Sequence, residues 1–427
     1  MEYKNQCLFQ PSVFTSELVY SCAICNMKHT LTKLIYNKPF AYTLWFGVGF
    51  FIVLKGLLTH HSPNNYLVFK HVFLNVIHEH ALYIPQPEYY FDRNHYGPVF
   101  SMIIAPFALL PDGAGALLWV MFNAFVLFKA IQLLPIGKNK HIIILLLCAN
   151  DLTGSSIYFQ FNPTITALII LSLYFIKKEQ EFWAALLIAL GTFTKLYGIV
   201  GLAFFFVSDN KLRFLASFVF WSIVLFVLPM AISSPGFIIR TYQDWYNDLL
   251  AKNVENVNSN LQDISVMGMI RRIFNCKEFK NIFVIAPALI LFGLSYLRVT
   301  HFKSTQYQLL ILASVLIFTV IFSSSAESPT YVIAFTGISI WFMNLNRPVT
   351  GLEISLLIFA IVITSFSSSS LFPKSINLAY MQPYRLKALP CLLIWLKIIY
   401  ETLTRNFTTE RQLEKSIHIG PSLSKRQ

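Results

Sequence analysis

A dense cluster of residues able to do chemistry in this 427-residue chain lies in one stretch, 62–98 (SPNNYLVFKHVFLNVIHEHALYIPQPEYYFDRNHYGP), although only 12% of the chain is charged. Its densest part, PEYYFDRNHYGP, sets Glu88, Asp92, Arg93 and His95 among Tyr89, Tyr90, Phe91 and Tyr96. A carboxylate in such partly apolar company has its pKa raised and can serve as general base on a hydroxyl. Asp92 is the first candidate for that base and Glu88 its reserve. The tyrosine faces are suited to stacking on a sugar ring. A solvated outer loop is the plainer reading of the same charges.

Candidate cations lie elsewhere in the chain. Lys195 interrupts the apolar run FWAALLIALGTFTKLYGIVGLAFFFV, where a lysine in the bilayer centre costs about 2.5–3.5 kcal/mol unless it meets a polar cavity. It reads either as a snorkelling turn lysine or as a phosphate ligand. Arg271 and Arg272, with Lys277 and Lys280, end a second polar region, and guanidinium groups there suit a lipid phosphate. Lys70 is a third possible contact for the same phosphate. Gln160-Phe161-Asn162-Pro163 opens an apolar segment with two amides, which more often cap a helix than bind a substrate.

Other chemistries lack their parts. There is no GxxxxGK[ST] phosphate loop and no GxGxxG after a strand, so nucleotide-driven chemistry has no visible machinery. His78, Glu79 and His80 are adjacent and diverge on a helix, and Cys22 and Cys25 form a lone CxxC. No metal and no cofactor are expected. The remaining cysteines, Cys7, Cys148, Cys276 and Cys391, are scattered and imply no disulfide framework.

The elements that must hold these residues are membrane helices. The chain is 56% hydrophobic, with a mean hydropathy of +0.58, above the roughly 45–50% apolar content of soluble domains. Its net charge of +13 is expected to serve topology and anionic headgroups rather than nucleic acid. Phe40–Leu58 is long enough for one crossing. Tyr66, Val68, Phe69, Val72, Phe73, Val76 and Ile77 recur at helical spacing, predicting an amphipathic helix along the membrane surface. Val99–Leu110, bounded by Pro98 and Pro111, is too short for an ordinary span and reads as re-entrant or juxtamembrane. If it does not cross, Lys138, Lys140, Lys177, Lys178, Lys211 and Arg213 all fall in short cytoplasmic turns.

The expected fold is therefore all-α and polytopic: a bundle of about twelve spans with juxtamembrane helices in its first outer loop. Residues 1–39 form a cytoplasmic extension, with Met27 a possible second start. Residues 40–403 form the transmembrane domain, with outer loops 59–97 and 233–279, and 404–427 form a basic cytoplasmic tail.

Several of these residues together resemble the GT-C type polyprenol-phosphate-sugar-dependent glycosyltransferases, in particular glycosyltransferase family 87, which includes alpha-mannosyltransferases. The resemblance runs from about Asn64 to Phe335. It is carried by Asn65 to Phe69, Leu82-Tyr83, Tyr96-Gly97-Pro98 and Leu110-Pro111. Gln160 to Pro163 continue it, then Gly191 with Lys195, and last Ser265, Val266, Gly268 and Arg272. Asn65 stands where the family usually has the loop-one aspartate proposed as base, and an amide takes no proton at neutral pH. Either Asp92 or Glu88 replaces it, or the member is inactive.

The resemblance implies inverting transfer of a hexose, with mannose the first sugar to consider, from a polyprenyl-phosphate donor to a glycan or glycolipid acceptor. The site would face outward from a bacterial cytoplasmic membrane. Lys195, Arg272 and Lys70 would hold the donor phosphate, with Asn65, Tyr96, Gln160 and Asn162 lining the substrate site. A lipid-linked-sugar flippase and a non-catalytic scaffold of an envelope polysaccharide complex are the readings from other classes.

Overall fold

The computed structural model describes residues 36–59, 61–259 and 262–407. The second start at Met27, the Cys22/Cys25 pair and nearly all of the two terminal extensions lie outside the described residues. Among the described residues every regular element is helical.

The first helix, α1, spans Lys38–Leu58. The expected amphipathic helix is α2, Asn64–Ile77, which buries Tyr66, Val68, Phe69, Val72 and Val76 on one face. It packs on the short α3, Phe100–Ala108, so the proline-bounded segment is indeed a helix of only 9 residues. Next come α4 (Asp112–Gln132), α5 (Lys138–Ile157), α6 (Asn162–Lys177) and α7 (Glu181–Lys195).

The apolar segment after Lys195 forms a 10-residue 3₁₀ helix, Tyr197–Phe206, packed back against α6 and α7. At about 2 Å per residue such a helix is roughly 20 Å long. Two glycines make the fold-back possible. A Cβ on Gly198 would meet the carbonyl carbon of Gly191 at 2.3 Å, so the two backbones lie in contact.

After α8 (Lys211–Val227), the expected second outer loop is largely helix. It contains α9, Pro235–Asn258, 24 residues long, and α10, Val266–Ile273. Ser234 caps α9 through the amide of Phe237, and Glu79 of the first loop accepts from the Ser234 N–H at 2.9 Å. Hydrogen bonds from Ser234 and Ser233 hold the Glu79 carboxyl below its usual pKa. A buried ion pair, Arg271 to Asp263 at 2.6 Å, fixes the entry to α10.

The bundle closes with α11 (Ile282–Leu294), α12 (Thr305–Ile321), α13 (Tyr331–Met343), α14 (Gly351–Phe359) and α15 (Ala388–Thr404). Between α14 and α15 the chain makes short helical turns over residues 366–384.

Helices apolar on every side belong in the interior. α12 and α13, buried at nearly every position, pack on each other and form the centre with α6. Three of the four longest apolar helices are peripheral. Lys38–Leu58, Asp112–Gln132, Lys211–Ala231 and Gly351–Ser368 have the length and hydropathy to cross a membrane, and three of them bury under a third of their residues. Five more apolar helices are shorter, at 10–17 residues. Helix length alone therefore identifies four candidate spans among the described residues rather than about twelve.

The basic turns gather at one pole. Lys140 donates to Asn346 at 2.8 Å, Lys177 to Thr305 at 2.9 Å, and Arg298 to the Arg405 carbonyl at 2.8 Å. Lys303 lies 3.8 Å from Asp209 in the same region. Nearby, buried Glu353 and Glu401 pair with Arg347 and Lys397, fastening α14 to α15. The opposite ends of the same helices carry the candidate site.

Candidate active site

The first loop reaches its place because Asn64, at the start of α2, grips Phe91 twice. Its Oδ1 accepts from the Phe91 N–H at 2.7 Å and its Nδ2 donates to the Phe91 carbonyl at 2.8 Å. The next residue, Asp92, has φ +83° and a side chain 59% exposed. Further on, Gly97 donates to the Thr194 carbonyl at 3.0 Å, and a Cβ there would meet the Phe193 carbonyl oxygen at 2.1 Å. Only glycine lets the loop lie against the end of α7. That contact sets Tyr96 beside Lys195, whose Nζ lies 5.2 Å from the Tyr96 ring centroid and 5.4 Å from that of Tyr197.

Lys195 ends α7, and Leu196 follows in the left-handed region at φ +49°. The lysine Nζ donates to Asn162 Oδ1 at 2.7 Å, and Asn162 Nδ2 donates to the Pro329 carbonyl at 3.2 Å. The Tyr96 hydroxyl is 3.5 Å from Gln160 Oε1. Asn65 donates to the Tyr158 carbonyl at 2.9 Å, tying α2 to the turn between α5 and α6.

These elements enclose a cavity of about 300 Å³, lined in part by Asn65, Asp92, Tyr96, Gln160 and Lys195. Five of the nine residues singled out from the sequence thus meet there, and Asn162 stands behind Lys195. The other three lie elsewhere. Glu88 is exposed and outside the lining. Lys70 pairs with Asp112 at 2.6 Å, and Arg272 donates to the Ser259 carbonyl at 2.8 Å.

Five further groups were not chosen from the sequence. α9 contributes Lys252 to the cavity, the connection between α12 and α13 contributes Glu327, and the first loop adds Arg93 and His95. Asp248 sits behind them, only 4% exposed, accepting from Arg93 Nε at 2.8 Å and lying 2.6 Å from His95 Nδ1. Trp245, Asp248, Lys252 and Asn256 follow one another at helical spacing, which is the stripe by which α9 could have been found in the sequence.

Electrostatics keep these groups in defined states. Burial works against the Arg93 charge, but hydrogen bonds and the charges of Glu255 and Asp248 outweigh it, and Arg93 binds its proton more tightly than a free guanidinium. Burial, reinforced by the Asp248 charge, pushes the Tyr83 phenol well above its ordinary pKa, so it remains a donor to the Tyr96 carbonyl at 3.1 Å. Two buried polar atoms in the lining residues have no partner, His95 Nε2 and Asn256 Oδ1. Cations, carboxylates, aromatic faces and orphaned polar atoms around one cavity fit a polar, partly anionic ligand such as a sugar phosphate.

The model of glycosyltransferase family 87 matches residues 94–326, more than half of the chain, from the end of the first loop to the connection that carries Glu327. The chain belongs to glycosyltransferase family 87. The match contains Tyr96, Gln160, Asn162, Lys195, Asp248 and Lys252, whereas Asp92 lies just before it and Asn65 further upstream. Comparison with curated proteins gives no match. For this family 87 member the family indicates a glycosyltransferase, and the apolar helices agree with a membrane protein.

Proposed function

We propose that this family 87 glycosyltransferase moves a hexose, with mannose the first to test, from a polyprenyl-phosphate donor to a hydroxyl of a glycan or glycolipid acceptor, with inversion. The observation that carries the reading is the meeting of Asp92 and Lys195, from distant parts of the chain, in one polar cavity. Its volume is at the lower end of the roughly 300–1,000 Å³ usual for small-molecule sites.

The acceptor hydroxyl gives its proton to Asp92 as its oxygen attacks the anomeric carbon. The bond from that carbon to the phosphate oxygen breaks, and its electron pair stays on the phosphate. Lys195 balances the charge that grows there, with Lys252 a second lysine of the same cavity. Arg272 and Lys70 already have protein partners outside the cavity, so the phosphate contacts rest on the two lysines. Attack from the side opposite the phosphate gives inversion. Exposed apolar helix faces offer the lipid tail a path, and a site on the outer face of a bacterial cytoplasmic membrane is part of the same proposal.

The experiment is transfer of tritiated mannose from polyprenyl phosphate to an alkyl mannoside, in membranes carrying wild type or Asp92→Asn at equal protein level. The expected loss is about 10²–10⁴-fold, the range for removal of a general base. Unchanged transfer in the variant would remove Asp92 from the mechanism. A wild type inert with a panel of polyprenyl-phosphate sugars would favour a scaffold, the reading that Asn65 supports.

A further inference from the structure

His95 is placed as a proton acceptor would be. Its Nδ1 lies 2.6 Å from Asp248 Oδ2, and Asp248 is further held by Arg93 Nε at 2.8 Å on its other oxygen. Paired with a guanidinium, the carboxylate is ionised and only accepts hydrogen bonds, so the proton of the short contact belongs to Nδ1. That tautomer leaves a lone pair on Nε2. Nε2 is buried without a hydrogen-bond partner and lies 4.0 Å from Asp92 Oδ1. A histidine serving only to fill space would be expected to satisfy both nitrogens, because an orphaned buried acceptor costs about 1–3 kcal/mol.

The surroundings hold this arrangement. Trp245 Nε1 donates to the His95 carbonyl at 3.0 Å, and Asn94 closes the backbone through the Tyr96 N–H and carbonyl, at 2.9 Å each. The charged groups around the imidazole are Asp92 and Arg93 from its own loop and Asp248 and Glu255 from α9. Lys252 lies 3.9 Å from Glu255 on the same helix.

We propose that Asp92 passes the acceptor proton to His95 Nε2, and that Asp248 is the positioning residue that keeps His95 in its accepting tautomer. The inference rests on the transfer reading above. The acceptor O–H bond breaks onto Asp92, the proton moves to Nε2, and the imidazolium is neutralised by Asp248, while the bond from the anomeric carbon to the phosphate oxygen breaks and its electron pair stays on the phosphate. A shift of about 1 Å in the Asp92 carboxylate brings it within the roughly 2.8 Å of a hydrogen bond to Nε2. The relay moves the proton from a carboxylate half open to solvent onto a buried imidazole nitrogen, and supplies a proton acceptor where Asn65 cannot.

The test compares wild type, His95→Gln, His95→Gly and Asp248→Asn in the same mannosyl transfer assay, at matched protein level. His95→Gln is expected to lower kcat at least about 100-fold with the donor KM within about twofold, and added imidazole to raise His95→Gly about tenfold or more. Asp248→Asn should lose a similar factor and gain nothing from imidazole. Transfer by His95→Gln within twofold of wild type would overturn the relay, as would a His95→Gly loss that imidazole does not relieve. In both cases an active wild type leaves the transfer reading standing. A wild type that transfers nothing sinks that reading and the relay with it.

Discussion

Lys195 shows how one residue type admits two readings until its neighbours are known. As a turn lysine it would snorkel. Instead it donates to Asn162 and sits between two tyrosine rings, aimed into the cavity that also holds Asp92. Lys195→Met is therefore expected to leave the melting temperature in detergent within a few degrees while cutting transfer about 10²–10³-fold, the usual loss for one electrostatic stabiliser. A large fall in melting temperature with transfer preserved would make it a structural lysine. Lys70 contrasts with it: its pair with Asp112 is partly exposed, which limits its contribution to about 1 kcal/mol of stability. Asp92, Tyr96, Gln160 and Lys195 were legible because polar residues in an apolar chain need a reason. The pairing of His95 with Asp248 was not, since the two are 153 residues apart and each alone looks like a loop residue.

Among the elements, the hairpin of α7 and the 3₁₀ helix decides where Lys195 points. Its apolar pattern marks the turn at Lys195, but hydropathy cannot tell that the second arm is a 3₁₀ helix pressed backbone to backbone on the first. The glycine contact is what allows that approach. Gly198→Ala would set a Cβ 2.3 Å from the Gly191 backbone, which cannot swing aside as a side chain can. An overpacking cost of about 1–3 kcal/mol is expected, seen as a lower melting temperature together with lost transfer. Gly236→Ala, with nothing within 4 Å of its Cβ, should change neither. α9 was hidden for the opposite reason. Its polar residues resembled an outer loop, although one face of the helix carries Trp245, Asp248, Lys252 and Asn256 toward the site.

For the whole molecule, the basic turns at one pole and the cavity at the other make the membrane orientation testable. In a variant stripped of native cysteines, Phe91→Cys, at a position 77% exposed near the cavity mouth, should react with a membrane-impermeant maleimide in intact cells. Lys303→Cys, 63% exposed at the basic pole, should react only after permeabilisation. The reverse pattern would turn the site inward. The helical class, the first span, the amphipathic helix after it, the short proline-bounded helix, the first-loop polar stretch and the grouping of basic turns all follow from the sequence by itself. Each is a local property, a matter of apolar period, proline and glycine position, or the side on which charge is stranded. Tertiary structure alone decided that α6, α12 and α13 form the core while three of the four longest apolar helices form its rim, and that Asp92 meets Lys195 while Glu88, Lys70 and Arg272 stay outside. It also decided that α9 supplies the partner of His95. Those outcomes depend on how close the backbones approach, and residues far apart in the chain meet only once the helices have packed.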